Sequence, residues 1–295
     1  MSNYMSHYFK STTSSIVMLA DLDGGALFRR TEQLFASNSN ATNHESLTKA
    51  PQDSLTLTKD ASAGSLVYGE VTTPVRLFAA LNMSKTDTFA DLGSGRGQCV
   101  LAAAMNSDAE TTPSLSVGVE FHAARHQAAE HALHACGVEI RERVRLACAD
   151  ALHANLSGIT KAYICNPCFG GPLTSQFAAA LHPSRAPRLE RVATISEIPE
   201  SALAVNHLRL IEMSAVGVSW CGAGTALYIY ERTSAEERAR AGAGEKPPDV
   251  VVDRELLDQV VAAQRAANVQ ARLAGGSEAQ VERGMLRTAL LAASF

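Results

Sequence analysis

A short glycine-rich turn between a predicted strand and a predicted helix constrains this chain more than any other feature. Residues 89–98 read Phe-Ala-Asp-Leu-Gly-Ser-Gly-Arg-Gly-Gln, an apolar run that leads through a GxGxG turn into a predicted helix. Glycines let the backbone turn sharply and approach a bound nucleoside, while the helix start offers unpaired N–H groups. The next predicted strand ends in Glu120, whose carboxylate can accept hydrogen bonds from both ribose hydroxyls. This order of elements predicts a nucleoside-binding, Rossmann-like sheet.

The glycine spacing and the residue before the turn discriminate between cofactors. Dinucleotide-binding folds use GxGxxG around a pyrophosphate, whereas this turn is GxGxG and follows Asp91. The negative charge of Asp91 would repel a phosphate and suits the α-ammonium group of a methionine moiety. The pattern therefore favours S-adenosylmethionine over NAD. A turn that serves only to reverse the chain between strand and helix is the alternative interpretation.

Predicted strands and helices alternate from Leu66 onward. The helices cover 98–105 and 122–136, the second ending at Gly137, and the strands cover 88–91, 115–120, 145–148, 162–165 and 192–195. This alternation predicts an α/β fold with a parallel, doubly wound sheet. Two β-rich runs, 213–220 and 225–230, are separated by residues 221–224 and predict a hairpin at the sheet edge.

The flanks differ from this central region in composition. Residues 37–65 are rich in Ser, Thr and Asn, which predicts a flexible linker after one N-terminal helix within 16–35. Residues beyond Arg232 predict two or three amphipathic helices, the longest with the apolar stripe Val251, Leu256, Leu257, Val260 and Val261. We therefore predict an N-terminal helix and linker over 1–65, a catalytic domain over 66–232 and a helical extension over 233–295.

Charge and cysteine content limit the partners and the compartment. The formal net charge is −4, so any contact with nucleic acid must be local. Arg185, Arg188 and Arg191 lie in the one basic loop of the predicted catalytic domain and are the candidates for a phosphate or acidic-surface contact, with a plain solvated loop as the alternative.

The six cysteines lie in or beside apolar runs, which predicts free thiols in a reducing compartment. No apolar run approaches the roughly 20 residues of a membrane span, so a soluble protein is expected.

A second candidate site follows the fourth predicted strand. Residues 165–171 read Cys-Asn-Pro-Cys-Phe-Gly-Gly at the carboxyl edge of the sheet, where open α/β sheets bind ligands. Asn166 can hold a substrate amine or the cofactor's amino group, and Phe169 can wall a methyl-transfer channel. The CxxC spacing also fits zinc or a redox pair, and the histidines at i, i+4 spacing within 122–136 could hold a metal. Neither pattern has a second set of ligands, so no metal is expected.

Separated segments of the chain resemble one family, the disruptor-of-telomeric-silencing (Dot1-like) histone H3 lysine methyltransferases. Residues 67–72, Val-Tyr-Gly-Glu-Val-Thr, resemble the family's VYGET loop, and residues 91–98 and 118–120 are similar to its DLGSGVGQ and GVE. Residues 217–220 with 228–232 resemble its SVSW and closing strand, and residues 165–171 look like a variant of its NNFAFG. The likeness extends over residues 66–232.

The resemblance implies a fold, an activity and a set of site residues. The fold is the Rossmann-like sheet of class I S-adenosylmethionine-dependent methyltransferases, with an edge hairpin and flanking helices. The activity is methylation of a lysine in the globular core of histone H3 on nucleosomes, in the nucleus. Glu120 would take the ribose and Asp150 the adenine amino group, and the candidate catalytic and channel residues are Asn166, Phe169, Trp220 and Tyr228. The residues expected to line the cofactor are Tyr68, Gly69, Glu70, Val71, Phe89, Ala90, Asp91, Leu92, Gly93, Ser94, Gly95, Arg96, Gly97, Gln98, Glu120, Asp150 and Ala151.

Three positions depart from the family's pattern. Ala151 stands where the family has an aromatic residue, Cys165 replaces the first Asn of its pair, and Leu227 falls on its channel tyrosine. Regular strand alternation would place the neighbouring Tyr228 on the opposite face. Two alternatives therefore stay open. One is a nitrogen methyltransferase acting on nucleic acid or a protein amide, since residues 165–170 also resemble an NPPY-type loop, and the other is a catalytically weak chromatin-binding scaffold.

Overall fold

An eight-stranded sheet with helices on both faces organises the computed structural model, which describes residues 27, 29–31, 33–34, 70–219 and 221–262. The helices are α1 (Pro74–Ala80), α2 (Gln98–Ala104), α3 (Ala123–His134), α4 (Val138–Arg143), α5 (Gly170–Ala180), α6 (Glu200–Val205) and α7 (Ala235–Gly242). The strands are β1 (Thr88–Leu92), β2 (Leu115–Glu120), β3 (Val144–Cys148), β4 (Lys161–Ile164), β5 (Arg191–Thr194), β6 (Leu208–Val218), β7 (Cys221–Arg232) and β8 (Val251–Val252).

The strands follow the order β3-β2-β1-β4-β5-β7-β6-β8. Strands β1 to β5 pair in parallel, and β7 inserts antiparallel between β5 and β6. The order reverses at β1, because β2 lies on one side of it and β4 on the other, and a reversal of this kind opens a ligand crevice at the carboxyl ends. The expected Rossmann-like α/β sheet with a hairpin near its edge is thus confirmed, and β8 lies outside the hairpin as the outermost strand.

The hairpin turns earlier than the sequence predicts. Strand β6 ends at Val218 and β7 begins at Cys221, so residues 221–224 belong to the strand and not to the turn. The β6–β7 register is irregular between Val216 and Val218, and Gly224 lies opposite this irregularity with φ +83°. A β-carbon on Gly224 would lie 2.8 Å from the carbonyl oxygen of Val216, so glycine permits a bulge where the sequence suggested a loop.

Both faces of the sheet are buried, because side chains of consecutive strand residues point to opposite sides. One hydrophobic cluster joins Leu77 of α1 and Leu101 of α2 to Phe89, while the other joins Phe177 of α5 to Leu92. Tyr163, Leu227 and Ile229 belong to the first cluster, and Ile164, Tyr228 and Tyr230 to the second. This double coverage explains why the strands read as nearly continuous apolar runs.

The described parts of the flanks pack on this sheet. Leu27 is buried, and Thr31 Oγ1 accepts a 3.1 Å hydrogen bond from Gln98 Nε2, so the N-terminal helical residues contact the start of α2. At the other end Leu257, Val260 and Val261 are buried within helical residues 254–262. The predicted apolar stripe needs correction at Val251, which lies in β8 and is 66% exposed. The predicted linker over 37–65 and most of the C-terminal extension lie outside the described residues, and the three-region division stays a prediction.

Candidate functional site

The glycine-rich turn lies at the carboxyl end of β1, in the crevice where the strand order reverses. Gly93, Gly95 and Gly97 have φ values of +99°, +56° and +79°, a left-handed conformation that disfavours other residues. The amides of Gly93 and Ser94 both donate to the carbonyl oxygen of Val119 in β2, at 2.8 and 3.0 Å. The three glycines are therefore required by the shape of a turn that folds over the end of β2.

Glu120, at the end of β2, is held beside this turn. Its Oε2 accepts a 2.8 Å hydrogen bond from the Gly95 amide, and its Oε1 accepts a 2.7 Å bond from the His122 amide. The buried guanidinium of Arg125 lies close enough for the Glu120 charge to oppose the lowering of its pKa by burial. Glu120 thus has a fixed position, and each oxygen keeps a second lone pair with which it can accept a ribose hydroxyl.

Asp91 is the least compensated carboxylate of the site. It is 4% exposed, and no described residue donates a hydrogen bond to its Oδ1. Burial raises the pKa of Asp91 well above its ordinary value, and the nearby charges of Glu120 and Glu70 raise it further. A buried carboxylate among carboxylates is costly unless a cation joins it. The orphaned oxygen therefore fits the cationic α-ammonium group of S-adenosylmethionine.

Glu70 and Arg96 form a buried ion pair at the same edge. Arg96 Nε donates to Glu70 Oε1 at 2.9 Å, and Arg96 Nη2 donates to Oε2 at 2.8 Å, the two-pronged geometry typical of a strong arginine–carboxylate contact. Both residues were predicted to line the cofactor. In the structure their side chains bind each other, and this links the segment before α1 to the glycine-rich turn.

Residues 70–73 also pair with the end of β6. The Thr72 amide donates to the Gly217 carbonyl at 2.8 Å, the Ser219 amide donates to the Glu70 carbonyl at 2.8 Å, and Val71 bridges Val218. A β-carbon on Gly217 would lie 2.6 Å from Thr72 Oγ1, so only glycine allows this approach. Two segments that lie about 150 residues apart in sequence, both parts of the family resemblance, are thus joined at the mouth of the site.

Asn166 follows β4 at the same edge, and its amide is engaged within the fold. Its Oδ1 accepts from the Ile195 and Ser196 amides at 3.0 and 2.7 Å, and its Nδ2 donates to the Ser196 carbonyl at 2.9 Å. A further 3.5 Å contact joins Nδ2 to Thr174 Oγ1. In this structure the Asn166 side chain joins the ends of β4 and β5, and its catalytic role stays a prediction.

Phe169 lies next to the glycine-rich turn. A β-carbon on Gly93 would be 4.0 Å from Cζ of Phe169, and the Phe169 ring stacks on Phe177 with centroids 5.1 Å apart. Burial raises the pKa of the Cys165 thiol to about 12. The expected wall position of Phe169 is thus compatible with the structure, whereas Cys165 is held as a neutral thiol.

Several other predicted residues are buried in the core or lie outside the described part. Phe89, Ala90 and Leu92 are completely buried in the core, since both faces of β1 are covered, and their assignment to the cofactor stays a prediction. Tyr228 is buried in the hydrophobic cluster opposite that of Leu227, as regular strand alternation requires. The residues outside the described part are Tyr68, Gly69 and Trp220.

Asp150 and Ala151 begin a short 3₁₀ helix after β3 (Ala151–His153). Asp150 Oδ1 accepts a 2.9 Å bond from the Leu152 amide, and its Oδ2 lies 2.9 Å from His153 Nδ1. Ala151 is buried. The turn therefore presents the Asp150 carboxylate at the carboxyl edge, one strand beyond Glu120, where the adenine end of the cofactor would lie.

The basic loop lies at the opposite edge of the sheet, since it precedes β5. Arg191 Nη2 contacts Glu231 Oε1 at 3.4 Å, Arg185 Nη2 donates to the Ala154 carbonyl at 3.3 Å, and Arg188 is exposed.

Within the described residues, no group of histidine, cysteine, aspartate and glutamate side chains has a metal-binding arrangement. No described helix is both long and apolar enough to span a bilayer.

Sequence reasoning missed two features of the site. The first is Arg125, which neighbours Glu120 from α3 and was not singled out. The second is the Glu70–Arg96 pair, although Arg96 stands where the family motif has Val, and an arginine inside a buried turn requires a counter-ion. That substitution was the available signal.

The chain matches one protein family and has distant structural neighbours. Residues 49–150, roughly a third of the chain, match the sequence model described as "Histone methylation protein DOT1". No curated protein matches the sequence. A Streptococcus pneumoniae protein described as a candidate tRNA (m1A22) methyltransferase is 12% identical, with 74% of this chain and 96% of the other covered and a TM-score of 0.43.

Two further solved structures are similar to the same degree. TrmN from Thermus thermophilus is 19% identical, with 55% of this chain and 48% of the other covered and a TM-score of 0.44. An RNA methyltransferase from Salinibacter ruber, in complex with S-adenosyl-L-homocysteine, is 17% identical, with 60% and 94% covered and a TM-score of 0.37. Similarity at this level does not transfer any of these activities to this chain.

The family match includes the whole glycine-rich turn and ends at Asp150, so it covers the side of the site with Asp91 and Glu120. The resemblance inferred from the motifs is confirmed over this range. Over residues 49–150 the chain is therefore similar to the Dot1-like, S-adenosylmethionine-dependent methyltransferases.

Proposed function

We propose that this protein is a histone-lysine N-methyltransferase that transfers a methyl group from S-adenosylmethionine to a lysine in the globular core of histone H3 on nucleosomes. The junction between residues 70–73 and 217–219 carries this proposal. The first segment resembles the family's VYGET loop over the methionine end of the cofactor, and the second resembles its SVSW motif. The two segments pair beside the glycine-rich turn. A generic nitrogen methyltransferase would not need this junction. A nuclear location follows from such a substrate.

The site residues divide the binding of the cofactor among them. S-Adenosylmethionine supplies a methyl group that its positive sulfur has already activated. Asp91 holds the α-ammonium group, Glu120 accepts from the ribose hydroxyls, and Asp150 accepts from the adenine amino group. The carboxylates end neighbouring strands β1, β2 and β3, so they form a row along which an extended nucleoside can lie.

Positioning and desolvation of the substrate amine complete the reaction. A lysine must approach as a neutral amine, and an apolar channel disfavours its ammonium form and so lowers its pKa. Phe169 walls this channel from the β4 side, and Trp220 is proposed to wall it from the β6–β7 hairpin. Correct alignment of the amine with the methyl group then accounts for most of the rate enhancement that the protein must supply.

The nitrogen-methyltransferase alternative has one observation in its favour. The Asn166-Pro167 pair follows β4 directly at the carboxyl edge, and Phe169 follows it beside the turn, as an NPPY-type loop would require. Against it, the Asn166 amide is taken by the Ile195 and Ser196 backbone.

Methyl transfer from labelled S-adenosylmethionine tests the proposal. The full chain is incubated with reconstituted nucleosomes, free histones, total RNA and DNA, with Gly95→Arg as the inactive control because its side chain would fill the turn. Label on nucleosomal histone H3 that is lost in the control is the expected result, with the modified lysine mapped by mass spectrometry. Label on nucleic acid alone would favour the alternative, and binding without transfer would favour a scaffold.

A further inference from the structure

The glycine-rich turn of this cation-binding site contains an arginine of its own. Arg96 lies between Gly95 and Gly97 and is 8% exposed. A guanidinium stays charged at every physiological pH, so it would repel the α-ammonium group of the cofactor and compete with it for Asp91. The charge of Arg96 must therefore be compensated before this turn can receive a cationic ligand.

Glu70 supplies that compensation from a fixed position. Its carboxylate accepts the hydrogen bonds from Arg96 Nε and Nη2, and its backbone is bound by Ser219. The Glu70 amide donates to Ser219 Oγ at 3.0 Å, and its carbonyl accepts from the Ser219 amide at 2.8 Å. Glu70 thus joins the end of β6 to the glycine-rich turn and directs the guanidinium toward itself.

The other buried carboxylate beside Asp91 has the same kind of neighbour. Glu120 lies near the Arg125 guanidinium, as Glu70 lies on that of Arg96. Asp91 differs from these two carboxylates, because burial and the negative charges of Glu120 and Glu70 all raise its pKa. Two of the three carboxylates are therefore matched by arginines, and Asp91 is left as the one that a ligand can match.

We propose that Glu70 is a positioning residue that engages the Arg96 guanidinium, so that Asp91 stays open to the cationic end of the cofactor. This inference rests on the proposed use of S-adenosylmethionine. It goes beyond the family pattern, because the arginine that needs engaging is a feature of this chain. A purely structural role for Glu70 makes a different prediction for the double variant described next.

Calorimetric titration with S-adenosylhomocysteine, which retains the α-ammonium group, tests the proposal between pH 5.5 and 8.5. Glu70→Gln removes the carboxylate that accepts from Arg96 Nε and Nη2, so the affinity is expected to fall by about tenfold or more. Loss of the Glu70 charge, which raises the pKa of Asp91, and pairing of Arg96 with Asp91 both lower that pKa, so the rise of affinity with pH moves to lower pH. In the double variant Glu70→Gln with Arg96→Met both charges are gone, and most of the affinity returns.

Two further variants separate charge from structure. Ser219→Ala removes one backbone contact of Glu70 without changing any charge, and it is expected to leave the pH profile in place. Glu70→Asp shortens the reach of the carboxylate and is expected to weaken binding by less than Glu70→Gln, which keeps the proposal testable if Glu70→Gln does not fold. Thermal unfolding of each variant without ligand records its folding.

The outcomes distinguish this inference from the proposed function. If the double variant binds as weakly as Glu70→Gln, or if both Glu70 variants bind like the wild type with an unchanged pH profile, the inference is overturned while the cofactor assignment stands. If the wild-type protein does not bind S-adenosylhomocysteine at all, both fall together.

Discussion

Replacing Asp91 by Asn should stabilise the protein without ligand and abolish most of its cofactor affinity. The change keeps the shape of the side chain and removes a buried charge that lies near two other carboxylates. An unsatisfied buried charged group costs at least about 1–3 kcal/mol. We therefore expect the free energy of unfolding at pH 8 to rise by about 1 kcal/mol or more, which corresponds to roughly 2–4 °C in the melting temperature.

The pH dependence of this difference follows from the direction of the pKa shift. Because burial raises the folded-state pKa of Asp91, the folded protein binds this proton more tightly than the unfolded chain does. The wild type therefore loses stability as the pH rises from the ordinary aspartate pKa, about 3.9, through the raised value. The two proteins should be nearly equally stable near pH 4, and the advantage of Asp91→Asn should be largest at pH 8.

Thermal unfolding with and without S-adenosylhomocysteine measures both effects. A ligand at 100 times its dissociation constant stabilises the wild type by about 2.7 kcal/mol. Asp91→Asn should lose about 100-fold or more in affinity, because the α-ammonium group no longer has its partner, so most of this stabilisation disappears. The order of melting temperatures then reverses when ligand is added.

Asp87→Asn is the matched control. Asp87 is also buried, but its oxygens accept hydrogen bonds from Ser84 and Thr160, so its replacement should destabilise the protein. The reasoning about Asp91 would be refuted if Asp91→Asn were less stable than the wild type at pH 8 without ligand. A stability difference that did not change with pH would refute it equally.

Three further predictions concern the junction between residues 70–73 and 217–219, the Asn166 side chain and the basic loop. Gly217→Ala should destabilise the protein by about 1–3 kcal/mol in chemical denaturation and weaken cofactor binding, since its β-carbon would clash with Thr72. Asn166→Asp should lose stability at neutral pH, because a carboxylate replaces an amide donor and faces the Ser196 carbonyl; recovery on acidification is the check. Replacing Arg185 and Arg188 by Ala should lower nucleosome affinity in a gel-shift titration. The slope of the logarithm of the binding constant against the logarithm of the salt concentration should become shallower by up to about two. Unchanged affinity at low salt would show that the loop does not contact the nucleosome.

The alternation of strands and helices was predictable because it rests on local patterns. The glycine-rich turn and Glu120 were found from residue types at fixed spacing, and the structure places both at the switch in strand order. The bulge at Gly224 was not found, since a glycine in a β-rich run reads equally well as a turn.

Side-chain partners were less predictable than positions. Asn166 was expected to face the substrate, and only the tertiary arrangement of β4 and β5 shows that its amide binds the Ile195 and Ser196 backbone. Phe89 was assigned to the cofactor from its place in the motif, yet coverage of both sheet faces buries it. In each case the deciding contact comes from a residue distant in sequence, which local patterns do not encode.

The unequal burial of the thiols has a practical consequence for spectroscopy. With a pKa of about 12, Cys165 is a thiolate in roughly one molecule in 10⁴ or fewer at neutral pH, so alkylating reagents react with it slowly. Cys99 is buried and Cys165 is half-buried, whereas Cys168 is exposed and directly precedes Phe169. Once the exposed Cys148, and Cys221, whose side chain is outside the described part, are replaced by Ser, a maleimide fluorophore on Cys168 would lie beside the proposed methyl-transfer channel. It would report the arrival of ligands without any change to the carboxylates that bind them.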